Sequence, residues 1–262
     1  MAADQTILFH STIFGPIKSR RLGTSLGINL SPVDGKVCSF DCLYCEAGYN
    51  SQGAGTSGFP SRESVREGLR TKLSEMRTQG SPLDVITFSG NGEPTLHPDF
   101  RGIVDDTLAL RDEFYPRAKV SVLSNATRLA NAGVDEALRR VDNNILKLDS
   151  AVEDTMRLID RPTQSSFTVD KVIRELEGFG EKCIIQTMML RGSHNGVSVD
   201  NTTDSEIRAL ADAYRRIRPS SVMLYSIDRS TPEENLKKIE KEELETIAGR
   251  LHALSGIPVN VS

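Results

Sequence analysis

Apolar positions along this chain follow two alternating rhythms. Short runs rich in Val, Ile and Leu recur at Asp84–Ser89, Lys119–Ser124, Asn144–Asp149, Cys183–Leu190 and Ser221–Ile227. Runs of that length and composition read as strands covered on both faces. Thr24–Leu30 gives a first strand, and Ile257–Val261 a short last one. Between them apolar residues fall at helical spacing: Val65, Leu69, Leu73 and Met76 after a capping Ser61, then residues 100–114 and 129–141. The same spacing returns at Val169, Val172, Ile173 and Leu176, at Ile207, Leu210, Tyr214 and Ile217, and at Leu244, Ile247, Leu251 and Leu254. This alternation predicts an α/β fold whose parallel strands are joined by crossover helices. Six or seven such units can curl into a partial barrel, with chemistry at the carboxyl ends of the strands.

No linker or composition shift divides the 262 residues, so one core domain over 1–262 is expected, with a short N-terminal extension at 1–22. Residues are 38% hydrophobic and 26% charged, and the net charge is −4. That balance suits a globular protein and gives no sign of a broad basic surface for RNA. Met1–Phe14 lacks a basic stretch followed by a sustained apolar run, so no signal peptide or membrane span is expected, and the location is expected to be cytoplasmic. Residues 48–58, rich in Gly and Ser, read as a mobile loop that orders as a lid when substrate binds.

Cysteine placement changes the picture most. Three of the four cysteines fall in Cys38-x3-Cys42-x2-Cys45, too clustered for a disulfide framework. Thiolates at this spacing suit zinc or an iron–sulfur cluster. Structural zinc usually takes four protein ligands, whereas three ligands leave an open iron in a four-iron cluster. Cys183, far along the chain, reads as a small buried apolar residue. Gly90-Asn91-Gly92-Glu93-Pro94 ends one strand, and Ser124-Asn125 ends the next. Alone these read as a turn and a helix cap; at strand ends they become candidates for binding. Lys147 and Asp149 share one face of their strand and are expected to line the barrel interior, as substrate contacts or as a structural ion pair. Arg191 and the pair Asp228-Arg229 close later strands and are substrate-side candidates. Arg20-Arg21 can hold an anion or form a solvated charge pair.

Taken together, the cysteine spacing, Tyr44 before the third cysteine, Phe88–Pro94 and Ser124-Asn125 resemble the radical S-adenosylmethionine (SAM) superfamily. The resemblance implies a partial (β/α)6, TIM-like barrel. It also implies a 4Fe–4S cluster on Cys38, Cys42 and Cys45, with SAM on the open iron. Residues 90–93 would then face the methionyl group, Ser124 and Asn125 the ribose or carboxylate, and Tyr44 the adenine. The implied activity is reductive cleavage of SAM to a 5′-deoxyadenosyl radical that abstracts hydrogen from a substrate. A low-potential electron donor of flavodoxin or ferredoxin type is the implied partner. The substrate class stays open between a small molecule, a nucleoside in RNA and a protein. Residues 19–27, 38–46 and 89–95 further resemble the branch containing wyosine-type tRNA-modifying enzymes and their bacterial relatives. The tRNA-modifying members carry a second cluster on upstream cysteines; none precedes Cys38 here, so wyosine formation is not expected. Two other readings remain: a zinc or iron–sulfur protein without radical catalysis, and an activase that installs a glycyl radical.

Overall fold

A computed structural model describes residues 7–19 and 22–262. The elements in chain order are β1 (Ile13–Ser19), β2 (Gly23–Ile28), α1 (Arg62–Thr78), β3 (Val85–Phe88), α2 (Phe100–Phe114), β4 (Lys119–Ser124), α3 (Ala132–Leu138) and β5 (Asn143–Lys147). There follow α4 (Glu153–Asp160), α5 (Val169–Glu177), β6 (Ile184–His194), β7 (Val197–Asp200), α6 (Asp204–Ile217), β8 (Ser221–Ser226), β9 (Leu236–Lys238), α7 (Lys241–Ser255) and β10 (Val259–Val261). The sheet runs β1-β2-β3-β4-β5-β6-β8-β10, parallel throughout except that β1 lies antiparallel to β2. This is the expected α/β architecture with mostly parallel strands.

The helices form as their periodicity predicts. Ser61 caps α1 by accepting from Ser64 N, and Val65, Leu69, Leu73 and Met76 are all buried. Along β8, Val222 and Leu224 are sealed beneath helices, while the alternate residues Ser221, Met223 and Tyr225 stay partly accessible. Alternation therefore separates a helix-covered face from an open interior face. Register sets Lys147 beside Gln186 and Gln186 beside Met223 in one interior row. A small cavity of about 90 Å³ lies among Ser25, Thr87, Ser89, Leu123, Ile145 and Met223 of this face.

Three features depart from the sequence reading, and a fourth adds contacts it did not foresee. The N-terminal extension contributes an edge strand, β1, whose internal Gly15 and Pro16 mask it in sequence; an edge tolerates proline because one side needs no ladder partner. Eight-residue α4 is too short to show a helical period, although Met156 and Ile159 anchor it. β6 continues past Leu190 to His194 and pairs there with β7 and β9, both antiparallel. The Gly-rich loop, finally, has firm local partners. Both oxygens of Asp34 accept from Thr56 and Ser57, backbone and hydroxyl alike, at 2.7–3.1 Å. These donors, Ser57 first, hold the Asp34 carboxyl well below the usual range. A Cβ on Gly35 would sit 2.1 Å from Gly55 N, so only glycine admits this close approach. Arg20 and Arg21, the candidate anion site, lie outside the described residues.

Candidate metal centre

Beyond β2 the chain crosses the carboxyl ends of the strands, and the cysteine loop is tied down on both sides. Towards β3, Val37 N donates to Asn91 O at 3.2 Å and Glu93 N to Val37 O at 3.0 Å. A Cβ on Gly92 would stand 1.9 Å from Val37 O, so a glycine is required where loop meets loop. Towards α4, Asp41 N donates to Asp160 O (3.0 Å), Leu43 N to Ile159 O (2.9 Å) and Thr163 N to Ser39 O (2.9 Å). Cys38, Cys42 and Cys45 thus share one closely held loop as free thiols, with Cys42 buried and the others half-buried. Phe40 N and Asn125 Nδ2 lie 3.5 and 3.6 Å from Cys38 Sγ, donors suited to a thiolate. Burial, and then Glu93, push the Cys38 thiol up to about 12. Burial also raises Cys42 well above its ordinary value, against the pull of Lys147. Metal binding would therefore have to displace these protons.

Three soft donors, one of them with two N–H groups near its sulfur, fit an iron–sulfur cluster. Among the described residues no three His, Cys, Asp or Glu side chains converge as a single metal ion demands. A cubane cluster takes each thiolate on a different iron, so convergence on one point is not needed.

The strand-end residues knit this region together. Glu93, fully buried, accepts through Oε1 from Thr95 N (3.0 Å), Thr95 Oγ1 (2.6 Å) and Ser124 Oγ (2.8 Å), and through Oε2 from Asn125 N (2.7 Å). Burial raises its pKa, while these donors, Asn125 N foremost, oppose the rise. Asn125 Nδ2 donates to Ser39 Oγ at 2.9 Å, and its Oδ1 accepts from Thr127. Asn91 turns its side chain to Phe9 and Pro32, away from the cysteines, and leaves backbone on the loop side. Gly90 packs where a Cβ would meet Asn29 Oδ1 at 2.3 Å.

The Radical SAM superfamily model matches residues 33–213. The chain belongs to the radical SAM superfamily. It is 29% identical over 254 residues to a protein called GTPase Obg from Brachyspira hyodysenteriae, covering 95% of this chain but only 35% of that one. It is 27% identical over 236 residues to a UPF0026 protein of Helicobacter pylori, covering 88% of this chain and 71% of the relative. Among solved structures, a radical SAM methyltransferase from Sphaerobacter thermophilus superposes with a TM-score of 0.66 at 15% identity, over 91% of this chain and 65% of that one. TYW1 with a lysine-pyruvate adduct bound gives 0.60 at 15% identity, over 88% and 74%. These likenesses support the partial barrel, and no described helix is long and apolar enough to cross a membrane.

Inside this radical SAM barrel, Lys147 donates to the Tyr44 hydroxyl, which donates to Asp149 Oδ2. Lys147 Nζ is also 3.0 Å from Asp149 Oδ2 and 3.7 Å from Asp160 Oδ1. Asp160 in turn accepts from Cys42 Sγ at 3.5 Å, so the interior charges reach the cysteine loop directly. Burial alone would lower the Lys147 pKa, but Asp149, Cys42 and Asp160 together hold it well above the ordinary value. It stands as an ammonium. Burial and then Asp149 raise the Tyr44 hydroxyl, and the same two causes raise Asp160. Tyr44 is therefore engaged with the interior charges. Sequence brought Lys147 and Asp149 to one face, and the structure joins them. Asp160 was missed, since it ends a helix that left no periodic trace.

The other candidates lie elsewhere. Arg191 sits in the hairpin extension of β6 and clasps Glu243 of α7 at 3.0 and 2.5 Å, with Thr202 Oγ1 at 2.8 Å and Asp200 at 3.4 Å. It ties the hairpin to the helix layer, because β6 does not end where the apolar run does. Asp228 is 3.4 Å from the exposed Lys238. Arg229 does reach the cysteine loop, with Nη1 2.7 Å from Glu46 Oε2, next to Cys45. Lys36 carries no sequence signal beyond its closeness to Cys38, yet the fold encloses it.

Proposed function

We propose that this chain is an enzyme that cleaves SAM reductively and abstracts hydrogen from a substrate held in the barrel interior. The observation that carries the reading is the cysteine loop itself, closed over the carboxyl ends of the strands and joined backbone to backbone with residues 91–93. A 4Fe–4S cluster on Cys38, Cys42 and Cys45, when bound with SAM, would supply the 5′-deoxyadenosyl radical by one-electron cleavage. The protein's own part is to hold and shield. Gly92 lets two loops approach closely, which leaves main-chain acceptors on the cofactor side. Glu93 locks that loop to the end of β4, and through it fixes Ser124 and Asn125. Asn125 presents its amide to Cys38. Lys147, Tyr44 and Asp149 form the polar wall of the interior nearest the loop, where Lys147 keeps its proton and so can bind but not act as a base. Arg229 joins the barrel rim to Glu46. Residues 1–262 are taken to work as one core, with a flavodoxin- or ferredoxin-type protein as electron donor.

Anaerobic reconstitution with iron and sulfide tests the reading. Wild-type protein should take up a four-iron cluster and, with dithionite and SAM, release 5′-deoxyadenosine. Cys38→Ser, Cys42→Ser and Cys45→Ser should do neither. Cluster uptake without any 5′-deoxyadenosine would favour an iron–sulfur protein without radical chemistry. Stoichiometric zinc that excludes iron would overturn the proposal.

A further inference from the structure

Two residues before the first cysteine, the fold encloses a lysine. The Lys36 side chain is only 2% exposed. Its Nζ donates to Gly48 O at 2.7 Å and lies 3.6 Å from Asp41 Oδ1. That hydrogen bond spans the loop from just before Cys38 to just after Cys45, so the ammonium sits beneath the segment carrying all three thiols.

Enclosing a lysine is costly, and packing alone would be served by methionine or leucine. Asp41 is not its dedicated counterion. Asp41 Oδ1 also accepts from Asn50 N at 2.6 Å, and Oδ2 lies 3.4 Å from Arg161. One carboxylate thus faces two cations, which leaves positive charge in excess beneath the loop. The other nearby charges are Glu93, which accepts from Asn125 N at 2.7 Å, and the pair Lys147 and Asp160, 3.7 Å apart, which offset one another.

Resting on the reading that the cysteines hold a 4Fe–4S cluster, we infer that Lys36 is a positioning residue that raises the cluster's reduction potential. Reduction adds one electron from a low-potential donor, with no bond broken. The reduced cluster is the more negative state, so a fixed cation in a shielded site stabilises it over the oxidised one. Removing that cation makes the cluster harder to reduce.

The test compares wild type with Lys36→Gln and Lys36→Arg, each reconstituted anaerobically. Iron and sulfide are counted, and the midpoint potential is read by redox titration followed by electron paramagnetic resonance. Lys36→Gln should lower the reduced-to-oxidised ratio at fixed potential at least tenfold, a shift of about 59 mV for a one-electron couple. Lys36→Arg should stay close to wild type. A fully loaded Lys36→Gln variant with an unmoved midpoint overturns the inference and leaves the proposed function standing. A wild-type chain that takes up no four-iron cluster overturns both. Where Lys36→Gln folds but does not load, Lys36→Met and Lys36→Arg decide. A loaded Lys36→Met with a lowered midpoint, beside a Lys36→Arg at the wild-type value, upholds the inference; a loaded Lys36→Met with an unmoved midpoint, or failure of both neutral variants to load, overturns it.

Discussion

Glu93 offers the sharpest test of how the site is held. Its carboxylate accepts four hydrogen bonds in a fully buried position, two from the backbone donors Thr95 N and Asn125 N and two from the hydroxyls of Thr95 and Ser124. In Glu93→Gln one oxygen survives. Whichever way the amide faces, its NH2 group meets one of the two backbone N–H groups, and that donor goes unsatisfied. A buried donor left unmet costs about 1–3 kcal/mol. Relief of the buried charge, which is what raises the Glu93 pKa, offsets part of that. A net loss of about 1–2 kcal/mol is expected, or a melting point roughly 2–8 °C lower for a chain of this size. Glu93→Ala strands both backbone donors and should cost about 2–6 kcal/mol. Thermal and urea unfolding of the cluster-free proteins measures this without interference from the cofactor. Should Glu93→Gln melt with or above wild type, Glu93 is not the tie between the ends of β3 and β4, and its presence would have to be explained through direct contact with SAM.

Two further predictions follow from single side chains. Cys183, fully buried with Sγ 3.3 Å from Gly180 O, should be replaceable by alanine at a cost of about 1–2 kcal/mol, with iron and sulfide uptake unchanged; loss of the cluster in that variant would mean a ligand has been misassigned. Asp34 has a folded pKa below its ordinary 3.8, so its clamp on Thr56 and Ser57 is complete above that value and weakens as pH falls below it. Protection factors for those two amides should drop on acidification, and Asp34→Asn should abolish the dependence; protection indifferent to both would show that the clamp is not what orders the loop.

What sequence disclosed depended on whether a residue's role left a periodic trace. Lys147 and Asp149 were readable because a strand puts alternate residues on one face, and apolar helices had to cover the other. The cysteines stood out by their spacing, and Gly92 by its type, which the close approach of Val37 O requires. Arg191 was expected at a strand's end because the apolar run was read as the whole strand, whereas β6 continues past it into a hairpin. Glu93 and Asn91 were placed at a strand's end, but their side chains bond the protein's own backbone and, for Glu93, neighbouring hydroxyls. Which atoms of a loop face inward depends on tertiary hydrogen bonds that no local pattern encodes. Asp160 and Lys36 come to the cysteine loop from a short helix and from a turn, where neither period applies.

These ties also bear on what a cluster would contribute to folding. The cysteine loop is joined to the β3–α2 connection through Val37, to the end of α4 through Ser39, Asp41 and Leu43, and to itself through Lys36 and Gly48. Main-chain groups make most of these bonds, and the lysine ammonium makes the last. The cysteine side chains contribute little to them: Cys38 accepts two long contacts, and Cys42 donates one to Asp160. A small zinc domain folds only when metal draws its ligands together, so its binding energy is spent on ordering the chain. Here the ordering comes from a ten-stranded sheet and its loops, before any metal is considered. The free energy of cluster binding can then appear as affinity, opposed mainly by the removal of protons from thiols that burial has made reluctant to ionise. A site whose shape rests on main-chain ties would keep that shape whether or not a cluster is bound.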